Sequence, residues 1–179
     1  MATVVLSVLG DDRPGLVDAV AQVVADHGGS WDRSHMSRLA GKFAGIVVVT
    51  IADDDAQALI DGLGPIRADG LLEVTASIAT DPDADSDPTP GAVEPIELQL
   101  VGADRPGIVR EIASVLAAND VSIIELVTAT TSAPMAGEPL FEASLSLNVP
   151  PSLDLDRLRA ALEDLANELM VDIDLDTAR

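Results

Sequence analysis

The chain contains no cysteine and no tyrosine, one tryptophan, two phenylalanines and a single lysine, Lys42. Without cysteine, disulfides and thiolate metal sites are excluded. With aromatics at 2% of residues, the core must be filled by Val, Leu, Ile and Ala, and a surface on which nucleic-acid bases stack is not available. Nine arginines and the one lysine stand against 31 acids, for a formal net charge of −21. No basic patch can then displace counterions from a phosphate backbone, so direct nucleic-acid binding is not expected. The acidic balance reads first as solubility and secondly as a match for a basic partner surface. No apolar run approaches the ~18 residues of a membrane span. The opening strand-like stretch Thr3–Leu9 has neither a cationic n-region nor a small-residue cleavage site. The expectation is a cytoplasmic protein that is not held at a membrane.

What is present is a repeat. Gly10-Asp11-Asp12-Arg13-Pro14-Gly15-Leu16-Val17 returns as Gly102-Ala103-Asp104-Arg105-Pro106-Gly107-Ile108-Val109, and the apolar pattern carries on at the same spacing, with Val20, Val23 and Val24 matching Ile112, Val115 and Leu116. One module is written twice. Between the copies, the stretch Asp81–Gly91 holds three prolines, four aspartates and no large apolar residue. It cannot bury enough surface to order itself and reads as a tether. The expected organisation is a first module over 1–80, an acidic Pro-rich linker over 81–94 and a second module over 95–179. Each module, at ~80 residues, is near the lower limit for a self-sufficient core.

Each copy reads as the same series of elements. An apolar strand (3–9 and 96–101) runs into the motif. A helix follows with apolar residues at 16, 17, 20, 23 and 24, and at 108, 109, 112, 115 and 116, the stripe of a helix lying on a sheet. Gly28-Gly29 and Asn119-Asp120 end these helices. Two strand-like stretches come next, 30–39 and 43–51 in the first copy and 121–131 and 140–149 in the second. A second helix is expected over 53–63, with Ala56, Leu59, Ile60 and Leu63 inward, and over 153–168, with Leu155, Leu158, Leu162, Leu165 and Leu169 inward. Last strands close the modules at 71–79 and 170–175. The order βαββαβ, twice, predicts the α+β class: two ferredoxin-like modules, each an antiparallel sheet with its helices on one face.

The repeated motif lies where the first strand meets the first helix. Pro14 and Pro106 suit the first helical position, where a missing N–H costs nothing. Gly15 and Gly107 let backbone or ligand approach closely. The amides that follow, led by those of Leu16 and Ile108, have no intrahelical acceptor and, with the helix dipole, suit a small anion such as a carboxylate. Asp12 and Asp104 stand just before and can cap the helix or accept hydrogen bonds from an ammonium group. Such a corner fits a free α-amino acid. The same residues also make an ordinary turn and cap, and duplication preserves structural features as readily as functional ones. Arg13 and Arg105 read as solvated or in surface ion pairs. Ser30 and Ser122 either begin a strand or take part in binding.

The Asp-Arg-Pro-Gly-Leu/Ile-Val motif between strand and helix of a βαββαβ unit resembles the ACT domain. The segments Ser34–Ala44 and Ser132–Phe141 are similar to those of the glycine cleavage system transcriptional repressor family. This resemblance implies modules that pair, often edge to edge, with an effector amino acid held where one module's motif loop meets its neighbour. Carried over by position, the contacts would be Asp12, Pro14, Gly15, Leu16 and Ser30, and Asp104, Pro106, Gly107, Ile108 and Ser122. It further implies a small amino acid such as glycine or serine as ligand, a partner regulator protein and a homo-oligomer. Ala103 departs from the first copy, where Asp11 stands, and leaves open whether both modules bind. Gly29-Ser30 departs from the bulkier apolar residue and Asn of many ACT modules.

Nothing else in the sequence points to chemistry. His27 sits at a helix end and His35 in a strand, with no paired histidine to complete a metal spacing. No nucleophile elbow and no phosphate-binding glycine pattern is present. Asp53–Asp55 reads as a cap of the second helix, Trp31 as core or interface with a pocket lid as the alternative, Phe43 and Phe141 as core, and Met135 as an exposed loop residue. No catalytic residue, metal or cofactor is expected. The leading expectation is a non-catalytic amino-acid sensor acting through a partner. A ligand-independent interaction adaptor and a detached regulatory subunit of an amino-acid enzyme are the alternatives.

Overall fold

The computed structural model describes residues 1–80, 95–132 and 139–177. The expected linker and Met135 lie outside the described residues. The chain divides into two compact units, Met1–Ser86 and Asp87–Arg179.

In the first unit, β1 (Ala2–Asp11), α1 (Leu16–Asp26), β2 (Ser30–Leu39), β3 (Lys42–Ile51), α2 (Ala56–Gly62), α3 (Gly64–Ala68) and β4 (Glu73–Ile78) follow in order. The second contains β5 (Ile96–Ala103), α4 (Ile108–Ala118), β6 (Ser122–Ser132), β7 (Pro139–Asn148), α5 (Leu155–Leu169) and β8 (Val171–Thr177). The sheet orders are β2-β3-β1-β4 and β6-β7-β5-β8, antiparallel throughout. This is the ferredoxin-like α+β arrangement, present twice. Even an irregularity recurs: a bulge between Trp31 and Arg33 in β2 matches one between Ile123 and Glu125 in β6.

The cores follow from the alternation of strand side chains and the helical stripes. Val4, Leu6, Val8, Val47, Val49 and Ile51 meet Leu16, Val20, Val24, Leu59 and Leu63 in the first unit. Leu98, Leu100, Leu145 and Leu147 meet Ile108, Ile112, Leu116, Leu158 and Leu162 in the second. Phe141 is buried, and Phe43 and Trp31 pack against the first core from its margin. Val17 and Val109, expected on the stripe, are exposed instead, because the residue after the first buried helical position turns about 100° away from the sheet.

The second helix of the first module differs from expectation. A 3-10 turn at Asp53–Asp55 leads into α2, and Gly64-Pro65 restarts the chain as the separate short α3. The aspartates do not cap α2 through their side chains; the Asp53 carboxylate instead accepts from the Met1 amino group at 2.9 Å. In the second module α5 is continuous, and Asp154 caps it by accepting from the Asp156 amide at 3.0 Å.

Candidate functional site

The motif forms the same corner in both modules. β1 ends at Asp11, the chain turns through Asp12–Gly15, and α1 begins at Leu16. Gly15 and Gly107 have φ of 93° and 96°, a left-handed conformation that glycine adopts without a Cβ clash. This glycine is the N-cap. Pro14 and Pro106 therefore do not occupy the first helical position, as expected from sequence, but precede the cap. A left-handed residue has to intervene to swing the strand into the helix, and proline cannot supply it. The turn is pinned from behind: the Asp12 amide donates to the Gly41 carbonyl and the Asp104 amide to that of Pro139, both at 2.9 Å.

The helix starts carry no side-chain cap. The Ala19 amide makes its bond to the Gly15 carbonyl, and the Glu111 amide to that of Gly107, each at 3.0 Å. The amides ahead of these, from Leu16 to Asp18 and from Ile108 to Arg110, are the donors that an α-helix leaves without an i−4 acceptor. Both prolines, both glycines, Asp12 and Asp104 are exposed. Leu16 and Ile108 are core residues, 3% exposed, so only their main-chain amides can face a ligand.

Asp12 and Asp104 do not cap the helices. The Asp12 carboxylate accepts from Arg38 at 3.2 Å, and so is turned toward the end of β2. Ser30 and Ser122 are not brought to the corner of their own module. Ser30 lies across from Thr50, which on its other side pairs with Thr3, at the opposite end of the sheet from the Asp11–Lys42 pair. At ~3.3 Å per residue, the intervening strand places it roughly 25 Å away. Ser122, opposite Asn148, has the same remote position. Within a module, the grouping is thus Asp12, Pro14, Gly15 and Leu16, or Asp104, Pro106, Gly107 and Ile108.

The two corners differ in what surrounds them. Arg13 donates to the carbonyls of Gly70 and Leu71, at 3.2 and 3.3 Å, and ties the corner to the loop before β4. Its counterpart Arg105 pairs instead with Glu111, one turn into α4, at 3.2 Å. In the first module, the residue at that turn is Ala19. A Cβ built on Gly15 would have nothing within 4 Å, whereas one on Gly107 would meet Glu111 Oε1 at 3.8 Å. Asp11 pairs with Lys42 across the sheet, which holds its carboxyl below the ordinary value; at the same register Ala103 faces Leu140.

Several of these residues escape sequence reasoning. Gly10 and Gly102, the first letters of the repeat, matter because the last strand starts against them: a Cβ would lie 2.8 Å from the Leu71 carbonyl oxygen in one and 2.2 Å from Val171 Cγ1 in the other. The signal was their repetition. A cleft of about 540 Å³ opens beside the first corner, bordered by Leu9, Asp11, Lys42, Arg67 and Leu71, and does not include Gly15. His27 is structural: its Nδ1 donates to the Val23 carbonyl at 2.8 Å, and Asn119 makes the matching bond to Val115 at 2.8 Å.

A strand, a left-handed glycine and a helix start, twice over in ferredoxin-like frames, define a tandem of like-built α+β modules. The chain belongs to the ACT-domain family: ACT-domain models match residues 2–68 and 94–167. Over 168 residues it is 24% identical to the glycine cleavage system transcriptional repressor of Escherichia coli, covering 92% of this chain and 84% of that protein. A crystal structure of an unknown protein from Galdieria sulphuraria superposes with a TM-score of 0.85 at 30% identity over 99% of both chains. A second crystal structure, provisionally assigned as a glycine cleavage system transcriptional repressor, has a TM-score of 0.69 at 16% identity, over 98% of this chain and 96% of that one, which shows the shared fold. No helix among the described residues is long and apolar enough to cross a membrane.

Proposed function

We propose that this protein is a non-catalytic regulator that binds a small amino acid at a motif corner and passes its occupancy to a partner protein; its likeness to a transcriptional repressor supports the regulatory part of this reading. The observation that carries this reading is the exposed, uncapped helix start behind a left-handed glycine. Its amides and helix dipole suit a carboxylate, and no protein side chain caps them. Ligand binding would bias the module between states with different affinity for the partner, so that no bond need be made or broken. Glycine and serine are the expected ligands, small enough to leave the corner's surroundings undisturbed. Homo-oligomerisation belongs to the same reading.

Calorimetry of the full chain against the twenty amino acids tests the sensor. Saturable binding of a small amino acid, weakened at least tenfold by Gly15→Ala with the fold intact by circular dichroism, is the expected result. No heat and no thermal shift with any of them would leave the ligand-independent adaptor in its place. Affinity capture then identifies the partner: a transcription regulator is expected, and a metabolic enzyme would indicate a detached regulatory subunit.

A further inference from the structure

We infer that the first module carries a site of its own for an amino acid with an aliphatic side chain, in the cleft of about 540 Å³ beside β4 and apart from the motif corner. The register explains why the cleft exists. β4 begins at Glu73, opposite Leu9, so Gly10 and Asp11 run on with a partner strand on one side only. In the second module the ladder reaches one pair further, to Gly102 opposite Val171. The loop before the last strand is also longer in the first module. α3 ends at Ala68 and β4 starts at Glu73, whereas Met170 alone separates α5 from β8. That loop is held in place: Gly70 takes a left-handed φ of 63°, and Arg13 donates to the Gly70 and Leu71 carbonyls at 3.2 and 3.3 Å. The cleft is of ligand size, since cavities that bind small molecules span roughly 300–1,000 Å³.

Its border decides the ligand. Leu9 and Leu71 offer apolar surface, and Leu9 is 44% exposed. Asp11 and Lys42 also border the cleft, but they satisfy one another. Two charges remain. Arg67, in the last turn of α3, and Glu73, the first residue of β4, make no ion pair among the described residues, although the chain has 31 acids for its ten Lys and Arg. A guanidinium donates to a carboxylate in a bidentate fork, and a carboxylate accepts from an ammonium group. One cation, one anion and an apolar surface match the carboxylate, ammonium and side chain of an aliphatic α-amino acid. Glycine has no side chain to cover Leu9 and Leu71. The second module lacks the parts: Ala103 and Leu140 stand in place of Asp11 and Lys42, and α5 runs into β8 with no counterpart of the loop that precedes β4. The site therefore occurs once per chain.

The test is calorimetry on the full chain with L-leucine, with glycine, and with 4-methylpentanoate and 3-methylbutylamine, which lack the amino group and the carboxylate of leucine in turn. L-leucine should bind at one site per chain, and each truncated analogue should bind weaker by about tenfold or more. Arg67→Gln and Glu73→Gln should each weaken L-leucine by a like factor with the thermal midpoint retained, since both side chains are exposed. Gly15→Ala, at the corner, should leave leucine affinity unchanged. Amide NMR reads the place without any substitution: leucine should shift the signals of Gly70, Leu71 and Glu73. Absence of leucine binding, or binding that Arg67→Gln leaves intact, would overturn the proposal. Equal affinity for 4-methylpentanoate and L-leucine would overturn the amino-acid assignment. Leucine binding lost in Gly15→Ala, with no shift at Gly70 or Leu71, would move the ligand to the corner and overturn the cleft. Glycine tests the corner separately: glycine binding that depends on Gly15, with no leucine binding, would sustain the corner and sink the cleft, and the converse would do the reverse.

Discussion

The two modules share one backbone plan, down to the amide bonds that pin their corners, but the charged side chains around those corners take different partners. Leu6 and Leu98 occupy equivalent, fully buried places on the central strands; Gly15 and Gly107 have φ values within a few degrees of each other. Around these fixed points the partners have been exchanged. Asp11–Lys42 corresponds to Ala103 facing Leu140, and the Arg13 contacts with carbonyls correspond to the Arg105–Glu111 pair. The difference follows from where the constraints lie. An apolar core has to fill its volume at close to crystal density, so its pattern tolerates little change. An exposed ion pair contributes ~1 kcal/mol or less and is free to drift. Equal architecture therefore does not imply equal sites, and the site has to be argued from the groups that drifted.

The largest effect should be the one in which the modules behave alike. Leu6→Ala and Leu98→Ala each remove a fully buried side chain and should cost roughly 2–5 kcal/mol. Denaturant unfolding monitored within each unit, with the Trp31 fluorescence reporting the first, measures the two costs. A cost below ~1 kcal/mol in one module only would break the proposition that the cores are equivalent.

The repeated glycines sharpen the comparison at a smaller scale. Gly10→Ala and Gly102→Ala should each destabilise by about 1–3 kcal/mol, since both force a Cβ into occupied space. Relief should differ. In the second module the obstruction is the Val171 side chain, so Gly102→Ala combined with Val171→Ala should recover part of the loss. In the first it includes the Leu71 carbonyl, which no side-chain truncation removes, so Gly10→Ala combined with Leu72→Ala should lose stability further. Paired thermal denaturation of single and double variants decides it.

The edge strands offer a third contrast. β2 carries Asp32, Arg33 and Arg38, whereas β6 carries only Glu125 among eleven residues and exposes Ile124 and Val127. Charged side chains on an edge discourage pairing with another chain. Val127→Lys should lower concentration-dependent self-association in sedimentation velocity, while Ser34→Lys on the already charged β2 should change it little. The reverse ranking would assign self-association to the first module.

These contrasts also mark how far the sequence was legible. The offset repeat, the helical stripes and the strand alternation were enough for βαββαβ twice, because burial imposes a period that a linear reading can detect. The corner was legible in its residue types but not in its geometry. Pro14 looks like a first helical residue until Gly15 is seen to need a left-handed φ between it and the helix. Ser30 follows the helix closely in sequence, yet it lies at the far end of the sheet from its own module's corner, a separation that linear order does not show. The partners of Arg13, Arg105 and Asp12 depend on contacts across 57, 6 and 26 positions respectively, set by exposed side chains with no periodic signature.

The smallest effect concerns the Asp11–Lys42 pair, which the second module lacks. The hydrogen bond and charge of Lys42 hold the Asp11 carboxyl below its ordinary value of 3.8. A carboxyl with a lowered folded-state value contributes stability above the unfolded value, and that contribution fades as pH falls through the folded one. The window therefore opens near pH 4 and extends downward; at neutral pH the contribution is complete. Because the pair is exposed, salt should screen it. Carboxyl NMR titration should find Asp11 more than half ionised where an unperturbed aspartate is half protonated, and Lys42→Ala should return it toward the ordinary value. The second module has no equivalent titration between Ala103 and Leu140, so as pH falls below the ordinary aspartate value the first module alone should lose this increment. An Asp11 titration unchanged by Lys42→Ala would show that the pair does not operate in solution, and one of the differences separating the two corners would disappear.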